Sequence, residues 1–347
     1  MRGEGTRPRA VVTGATGFVG GAMVRHLMDA GYDVMAVTRS LPKGRQLPAD
    51  CEVRETDWTL PSLTNLLRES RPTSVFHFAG RTDVGKSFES PDEYVEANVL
   101  LSTRLLEAVR LSRLTPISVV LAGSMHEYWL PTVARGISET WPRVPSSPYG
   151  YSKWMQGEMA AMYRNLYSLP VVTARLFNLM GPGARAGVVA QLVRVAVGIE
   201  RGEREPVIRI GSTTMTRDFL DVRDAARALL AIAQAAPIGT DAVNVCSGVD
   251  TSLGQIASEI AGHLDVPCRQ EVHPPFVRPG EPEVVCGDTA KLRELTGWSP
   301  QISISQSLRD ALDYARHAAN RQKGEDGHEG DDDSRHPTRD HSAIHHH

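Results

Sequence analysis

Two side chains in the stretch SSPYGYSK, Tyr149 and Lys153, have residue types and a spacing from which chemistry can be argued. They stand four residues apart, so a helix that begins near Tyr149 stacks them on one face, one turn apart. A lysine ammonium beside a phenol favours the phenolate and draws the tyrosine below its usual pKa of about 10. Such a phenol can exchange a proton with a sugar hydroxyl or a ketone near neutral pH. Tyr151, two before the lysine, falls on another face of the helix. The same spacing is common on solvated helix faces, so the pair acquires meaning only from what the rest of the chain brings to it.

The N-terminal elements are suited to bring a partner. Ala10, Val11 and Val12 form a short apolar run, followed at once by TGATGFVG and a helical pattern through Leu27. This order of strand, glycine turn and helix sets Gly14, Gly17 and Gly20 at GxxGxxG spacing. Glycine is needed where the backbone turns sharply or approaches a pyrophosphate, and the following helix aims its free amide groups at the phosphates. Gly14, Thr16, Gly17, Phe18, Val19 and Gly20 are therefore candidate dinucleotide-binding residues, supported by the strand-to-helix context that a lone glycine pattern lacks. The next strand, Asp33 to Thr38, ends in Arg39, with Lys43 and Arg45 following. An acidic residue at that strand end bonds the adenosine ribose of NAD, whereas a basic one accommodates the 2′-phosphate of NADP, so Arg39 argues for NADP(H). Lys43 and Arg45 read equally well as solvated loop residues.

Strand and helix patterns keep alternating: Ser74 to Ala79, a long helix over roughly Asp92 to Leu111, and Ile117 to Ala122. Alternation of this kind predicts a parallel sheet wrapped by helices, with ligands at the carboxyl ends of the strands. Three features fall at such ends. Asp57 in ETDW is placed to meet an adenine, Ala79 and Gly80 close the segment HFAG, and AGSMHEY presents Ser124 to a substrate oxygen. A serine at a strand end is equally a cap or turn residue.

Composition bounds the remaining classes. The 347-residue chain is long enough for a sizeable core, and its net charge of −3 gives no reason to expect nucleic acid or a membrane surface as partner. Cys51, Cys246, Cys268 and Cys286 form no metal spacing and read as reduced, buried residues of a cytosolic protein. No apolar run is long enough to span a bilayer and MRGEGTRPR lacks the apolar core of a signal peptide, so the cytoplasm is the expected location. From about Lys323 the chain turns polar and acidic with scattered histidines, and a disordered tail is expected, with 318–347 as its outer bounds. No metal site is expected there.

Taken in order, TGATGFVG, HFAG, Ser124, the Tyr149/Lys153 pair, ARLFNLMGPG, TRDFLDVRDAARAL and RPGEPEVVCGDTAKLRELTGWSP resemble the extended short-chain dehydrogenases that act on nucleotide sugars. The resemblance runs from about Pro8 to Arg316. Within that family EPVIRIGSTTMTRDFLDVRDAARALL, VNVCSG and RPGEPEVVCGDTAKL look similar to GDP-6-deoxy-4-keto-mannose reductases. The resemblance implies an α/β fold: a Rossmann doubly wound parallel sheet with a smaller C-terminal α/β domain for the sugar nucleotide. The expected division is 8–178 mainly for the cofactor and 179–317 mainly for the substrate, with segments such as 212–240 returning to the Rossmann core. It also implies Ser124, Tyr149 and Lys153 as the catalytic set, NADP(H) as cofactor and a nucleotide-diphosphate sugar as substrate. Homodimerisation through helices near 92–111 and 149–166 is a family expectation.

Several residues gain substrate-binding expectations from this. Asn178 follows the strand Val171 to Phe177 with an amide that can bond sugar or diphosphate, while Arg217 and Arg278 suit bidentate pairing with phosphate oxygens. Arg217 can alternatively form a structural ion pair with Asp218. Asp221 and Asp224 read as turn and cap residues. Dehydratases of the family carry two acids just after the catalytic Ser or Thr; here Met125 and His126 stand there, lining the pocket, and the dehydratase pattern is broken. Trp129, where many relatives have glycine, narrows the sugar pocket or packs. The reaction expected is NADPH-dependent reduction of the C4 ketone of a nucleotide-activated 4-keto-6-deoxyhexose. A nucleotide-sugar 4-epimerase or dehydratase of the same family is the alternative, and a cofactor-binding regulator without turnover the remote one.

Overall fold

A computed structural model describes residues 7–40, 47–235, 240–276 and 280–326, with side chains as far as residue 321. The elements run β1 (Arg9–Thr13), α1 (Phe18–Asp29), β2 (Asp33–Thr38), β3 (Glu52–Glu55), α2 (Leu60–Ser70), β4 (Ser74–His77), α3 (Pro91–Tyr94), α4 (Leu101–Ser112), β5 (Ser118–Ser124), β6 (Val133–Ile137), α5 (Pro148–Tyr167), β7 (Val171–Leu176) and β8 (Asn178–Met180). There follow α6 (Val188–Glu200), β9 (Val207–Ile210), β10 (Thr216–Asp221), α7 (Val222–Ala235), β11 (Ala242–Val245), β12 (Asp250–Ser252), α8 (Leu253–Gly262), β13 (Arg269–Val272), β14 (Val284–Gly287), α9 (Ala290–Thr296) and α10 (Ile304–Asp326).

Seven strands form the main sheet in the order β3-β2-β1-β4-β5-β7-β11, all parallel. Its central strands are apolar runs, VVT in β1 and VVLAGS in β5, because helices cover both faces and leave no side for polar alternation. One face buries Val12, Phe76, Val120 and Val243 against α1, α7 and α9. The other buries Val11, Val75, Val119 and Val171 against α2, α4 and α5. The chain steps outward from β1 to β2 and β3, then returns to β4 on the other side of β1. The order therefore reverses between β1 and β4, and a crevice opens there beyond the strand ends. This is the Rossmann-like architecture the sequence predicts.

A smaller body is built from the later segments. Strands β12, β10, β14 and β6 form a second sheet, with β8 also paired to β10, and β9 pairs β13. Helices α6, α8 and α10 pack Leu192, Ile256, Leu308 and Leu312 into its core. A minor cluster of Met125, Tyr128, Ile137, Phe177, Cys246 and Val285 lies between the two bodies, at the end of β5.

Two expectations are corrected. The helix expected over Asp92–Leu111 is interrupted: α3 passes into one π-helical stretch, Val95–Leu100, before α4. The wider turn rotates Asn98, a polar residue, into full burial. The tail expected from 318 is helical as far as Asp326, because α10 extends a face already anchored by Ala311, Leu312, Ala315 and Ala319. All four cysteines are free; Cys51, Cys246 and Cys286 are buried and Cys268 is half-buried.

Candidate active site

The end of β5 and the start of α5 meet above the β1/β4 crevice. Ser124 leaves β5 in extended conformation and caps a short 3-10 turn, Met125–Glu127. Its Oγ accepts the His126 N–H at 3.2 Å, while the Glu127 carboxylate accepts the Ser124 N–H at 2.9 Å. Helix α5 starts at Pro148 behind Ser147, whose Oγ accepts the Gly150 N–H at 3.1 Å. A Cβ on Gly150 would sit far inside contact distance of the His126 carbonyl, so glycine lets the first turn of α5 lie directly on the 3-10 turn. That packing brings the Tyr149 phenol beside the Ser124 hydroxyl. Tyr149 and Lys153 are 7% and 5% exposed, whereas Tyr151 is 46% exposed on another face, as the spacing predicts.

The electrostatics differ from the simplest reading of the pair. Lys153 Nζ donates to the Ala122 carbonyl and to Gln156 Oε1, both at 2.9 Å. Burial pushes the Tyr149 phenol up to about 12, opposed by the neighbouring Ser124 side chain. Burial also brings the Lys153 ammonium down to about 8, opposed by the charge of Glu127. The expected lowering of Tyr149 by Lys153 is thus corrected: the ammonium is tied to β5 and Gln156, and desolvation of the phenol wins. Tyr149 stands as a protonated donor.

Around this set, the His126 ring meets Tyr149 edge-on at 5.7 Å and Tyr94 does so at 6.4 Å. Met125 is buried and within 3.6 Å of the Asn178 amide, which also donates to the Asp218 carbonyl at 3.1 Å. Trp129 is half exposed at the rim, and its carbonyl accepts the Trp141 indole N–H.

Toward the glycine turn, Gly14 has φ +66°, and a Cβ there would lie 2.6 Å from the Ala79 amide nitrogen. The turn therefore nests against the Ala79–Gly80 segment, and α1 begins at Phe18 directly behind Gly17. Thr16 is half-buried in the glycine turn, Val19 is half-buried on the first turn of α1, and Gly20 is buried against Gly14. Arg39 lies exposed just past β2, with no ion-pair partner among the described residues. Asp57 is exposed, and its carboxylate accepts the Thr59 N–H and hydroxyl, capping the entry to α2. A cradle that only glycine can line, opening at a helix N-terminus beside a basic residue, fits a nicotinamide dinucleotide.

Arg217 is nearly buried, pairs with Glu281 at 2.8 Å and donates to the Thr216 carbonyl. The suggested Arg217–Asp218 pair is corrected. Asp218 points the opposite way along the strand and collects the N–H groups of Ser247, Gly248 and Gly287. Asp221 accepts the Arg223 N–H, the turn role expected of it, and the Ser307 hydroxyl; the cap role expected of Asp224 is corrected, since it lies inside the first turn of α7, pairs with Arg227 and accepts the distant Gln301 and Ile302 N–H groups. Arg278, Lys43 and Arg45 lie outside the described residues.

Two groups in the site, Asn98 and Arg175, were not singled out from the sequence. Asn98 donates to the Arg81 carbonyl and to Ser152 Oγ and accepts the Arg81 N–H, joining the crevice loop to α5 beside Lys153. Glu127 and Arg175 form a fully desolvated ion pair at 2.8 Å behind Ser124. A charged residue inside the apolar strand VVTARLF is the one sequence signal that pointed to the latter.

Comparison with known proteins shows the family of the chain. The family described as GDP-mannose 4,6 dehydratase matches residues 11–311. UDP-glucose 4-epimerase of Mycolicibacterium smegmatis is 31% identical over 319 residues, covering 89% of this chain and 98% of the relative. GDP-6-deoxy-D-mannose reductase of Pseudomonas aeruginosa is 30% identical over 305 residues, covering 88% and 96%. Among solved structures, RMD from Pseudomonas aeruginosa complexed with NADPH superposes with a TM-score of 0.77 at 28% identity, covering 90% and 98% of the two chains. UDP-glucose 4-epimerase with UDP-glucose from Thermotoga maritima gives 0.77 at 25% identity, covering 90% and 99%. On the family match over residues 11–311 and these relatives, the chain belongs to the GDP-mannose 4,6 dehydratase family, the extended short-chain dehydrogenases that modify nucleotide sugars.

Proposed function

We propose that the chain is an NADPH-dependent reductase of the C4 ketone of a nucleotide-activated 4-keto-6-deoxyhexose. The observation that carries this reading is Arg39, an exposed cation just past the end of β2, without an ion-pair partner among the described residues, where an NAD enzyme places an acid. Bound NADPH supplies the hydride that the ketone carbon accepts. Gly14, Thr16, Gly17, Phe18, Val19 and Gly20 hold the pyrophosphate, with Ala79 and Gly80 along the crevice and Asp57 on the adenine side. Ser124 Oγ hydrogen-bonds the ketone oxygen and Tyr149 delivers its phenolic proton to that oxygen as negative charge develops there. A phenol held near 12 suits this donor role in a reduction. Lys153 carries positive charge beside the reacting pair and bonds the nicotinamide ribose. Met125, His126, Asn178, Arg217 and Arg278 line the sugar-nucleotide side, where Arg217 exchanges Glu281 for diphosphate oxygens.

Residues 8–178 supply mainly the cofactor site and 179–317 mainly the substrate site. The proposed setting is a cytoplasmic homodimer. No described helix is long and apolar enough to cross a membrane. The similarity to UDP-glucose 4-epimerases supports a second reading, in which Tyr149, with Ser124 and Lys153, would take the proton of a sugar C4 hydroxyl while a tightly held NAD would accept the C4 hydride, to be returned to the other face. Mixing the enzyme and NADPH with GDP-4-keto-6-deoxymannose, and separately with its TDP counterpart, decides between them. Stoichiometric NADPH loss supports the reductase and fixes the base preference. C4 isomerisation of a 4-hydroxy sugar such as UDP-glucose by the enzyme with NAD, with no NADPH loss on either keto sugar, transfers the assignment to the epimerase.

A further inference from the structure

The Glu127–Arg175 pair stands outside the reaction just described, yet it is the most deeply buried charge pair at the site. Glu127 is 0% exposed and Arg175 4%. One carboxylate oxygen accepts the Ser124 N–H at 2.9 Å and the other accepts Arg175 Nε at 2.8 Å. Arg175 Nη1 continues to the Tyr128 hydroxyl at 2.9 Å, which donates to Asn244 Oδ1 at 2.7 Å. Burying two charges is costly unless every lone pair and proton is satisfied, and the satisfied network here has the form of a fixed support.

The carboxylate also faces the lysine. Lys153 Nζ bonds the Ala122 carbonyl and Glu127 bonds the Ser124 N–H, so the two opposite charges grip the same strand end two residues apart. A Cβ on Gly123, between those two peptides, would lie 2.6 Å from Glu127 Oε1. One on Gly157 would lie 3.6 Å from Oε2, and Gly157 is one helical turn beyond Lys153 on the same face of α5. The small residues thus bring β5 and α5 against the carboxylate. We propose that Glu127 is a positioning residue of the active site, whose buried carboxylate fixes the Ser124 backbone and is the counter-charge that holds Lys153 in its protonated form.

The other ionisable groups facing Lys153 leave this role to Glu127. On the β4 side, His77 is locked between Thr13 and Ser102 and held neutral, its pKa lowered to about 3 by burial. Tyr149 on the same helix and Tyr94 of α3 are neutral phenols raised by burial. Arg175 of β7 is itself a cation bonded to the carboxylate. From the 3-10 turn His126 faces Tyr149. Glu107 and Arg110 of α4 pair with each other and meet α5 at Tyr163, almost three turns beyond Lys153.

The inference rests on Ser124, Tyr149 and Lys153 being the reacting set, and its test reads the lysine without any substrate. The chain has five lysines, Lys43, Lys86, Lys153, Lys291 and Lys323, so carbon-13 labelling at lysine Cε gives five resonances, with Lys153 assigned by K153R. In E127Q the Lys153 titration midpoint is expected to fall by about one pH unit or more, while the other lysines stay in place. A Lys153 midpoint unchanged in folded E127Q overturns the proposal. Where E127Q does not fold, E127M/R175M serves: it replaces the buried pair by apolar side chains of similar length, and the Lys153 midpoint should again fall; an unchanged midpoint again overturns the proposal. In turnover, the alkaline limb of the pH profile of E127Q should move by the same amount as the resonance, a shift that a purely structural role would not give. A shifted resonance in a protein inactive on keto sugars would refute the reductase reading and leave this inference standing.

Discussion

Removal of the Arg39 guanidinium should separate the two nicotinamide cofactors. The side chain is exposed past the end of β2 and makes no ion pair among the described residues, so R39A should change the melting temperature little. A charge-assisted hydrogen bond contributes about 1.5–3 kcal/mol, which at about 1.4 kcal/mol per tenfold corresponds to roughly 10- to 150-fold in affinity. Solvent screening of an exposed arginine places the expected loss toward the lower end, about tenfold at 0.15 M salt and more at low ionic strength. The assay is titration of reduced-nicotinamide fluorescence with NADPH and with NADH, for wild type and R39A, at two salt concentrations. NADPH should weaken about tenfold or more, with a salt dependence that the variant loses, whereas NADH should stay within about threefold. Equal effects on both cofactors, or an NADPH change below about threefold, would refute the assignment of Arg39 to the 2′-phosphate.

Further outcomes follow from the same geometry. G14A places a Cβ 2.6 Å from the Ala79 backbone at φ +66°, so it should cost about 1–3 kcal/mol in denaturant unfolding and weaken both cofactors together, unlike R39A. Buried His77 stays neutral in the fold down to about pH 3, whereas the unfolded chain protonates it near 6.5. The unfolded state therefore binds the extra proton between those values, and His77 should remove up to about 1.4 kcal/mol of stability for each pH unit the solution falls below 6.5. Urea unfolding of wild type and H77Q across pH 4–7 checks this through a shallower pH slope in the variant. Y149F should lower keto-sugar turnover by about 10²- to 10⁴-fold and leave NADPH binding within about threefold, measured by steady-state kinetics and fluorescence titration.

What was legible in the sequence had local causes. The TGATGFVG turn announces a glycine cradle because φ and close approach restrict the residue type at each step. The Tyr149/Lys153 spacing announces a shared helix face because an α-helix fixes it. The apolar runs of β1, β4 and β5 announce a sheet covered on both sides, whereas the order reversal between β1 and β4 is read from the structure alone. What escaped depends on long-range packing. Asn98 reaches the crevice only because a π-helical turn rotates it inward, and nothing in EANVLLS marks that turn. Arg217 finds Glu281, sixty-four residues away, rather than its neighbour Asp218. Neighbours in a strand point to opposite faces, and β14 brings the 281–283 segment alongside β10. The Tyr149 phenol is raised rather than lowered because burial, which spacing cannot reveal, outweighs the charge of a lysine whose bonds go elsewhere.

The reductase reading is tested most directly by NADPH oxidation in the presence of GDP-4-keto-6-deoxymannose or its TDP counterpart, with Y149F as the control. One equivalent of NADPH lost per equivalent of sugar reduced at C4, and little loss in Y149F, is the predicted result. No NADPH loss with either sugar from an enzyme shown to bind NADPH, or undiminished loss in Y149F, would contradict it.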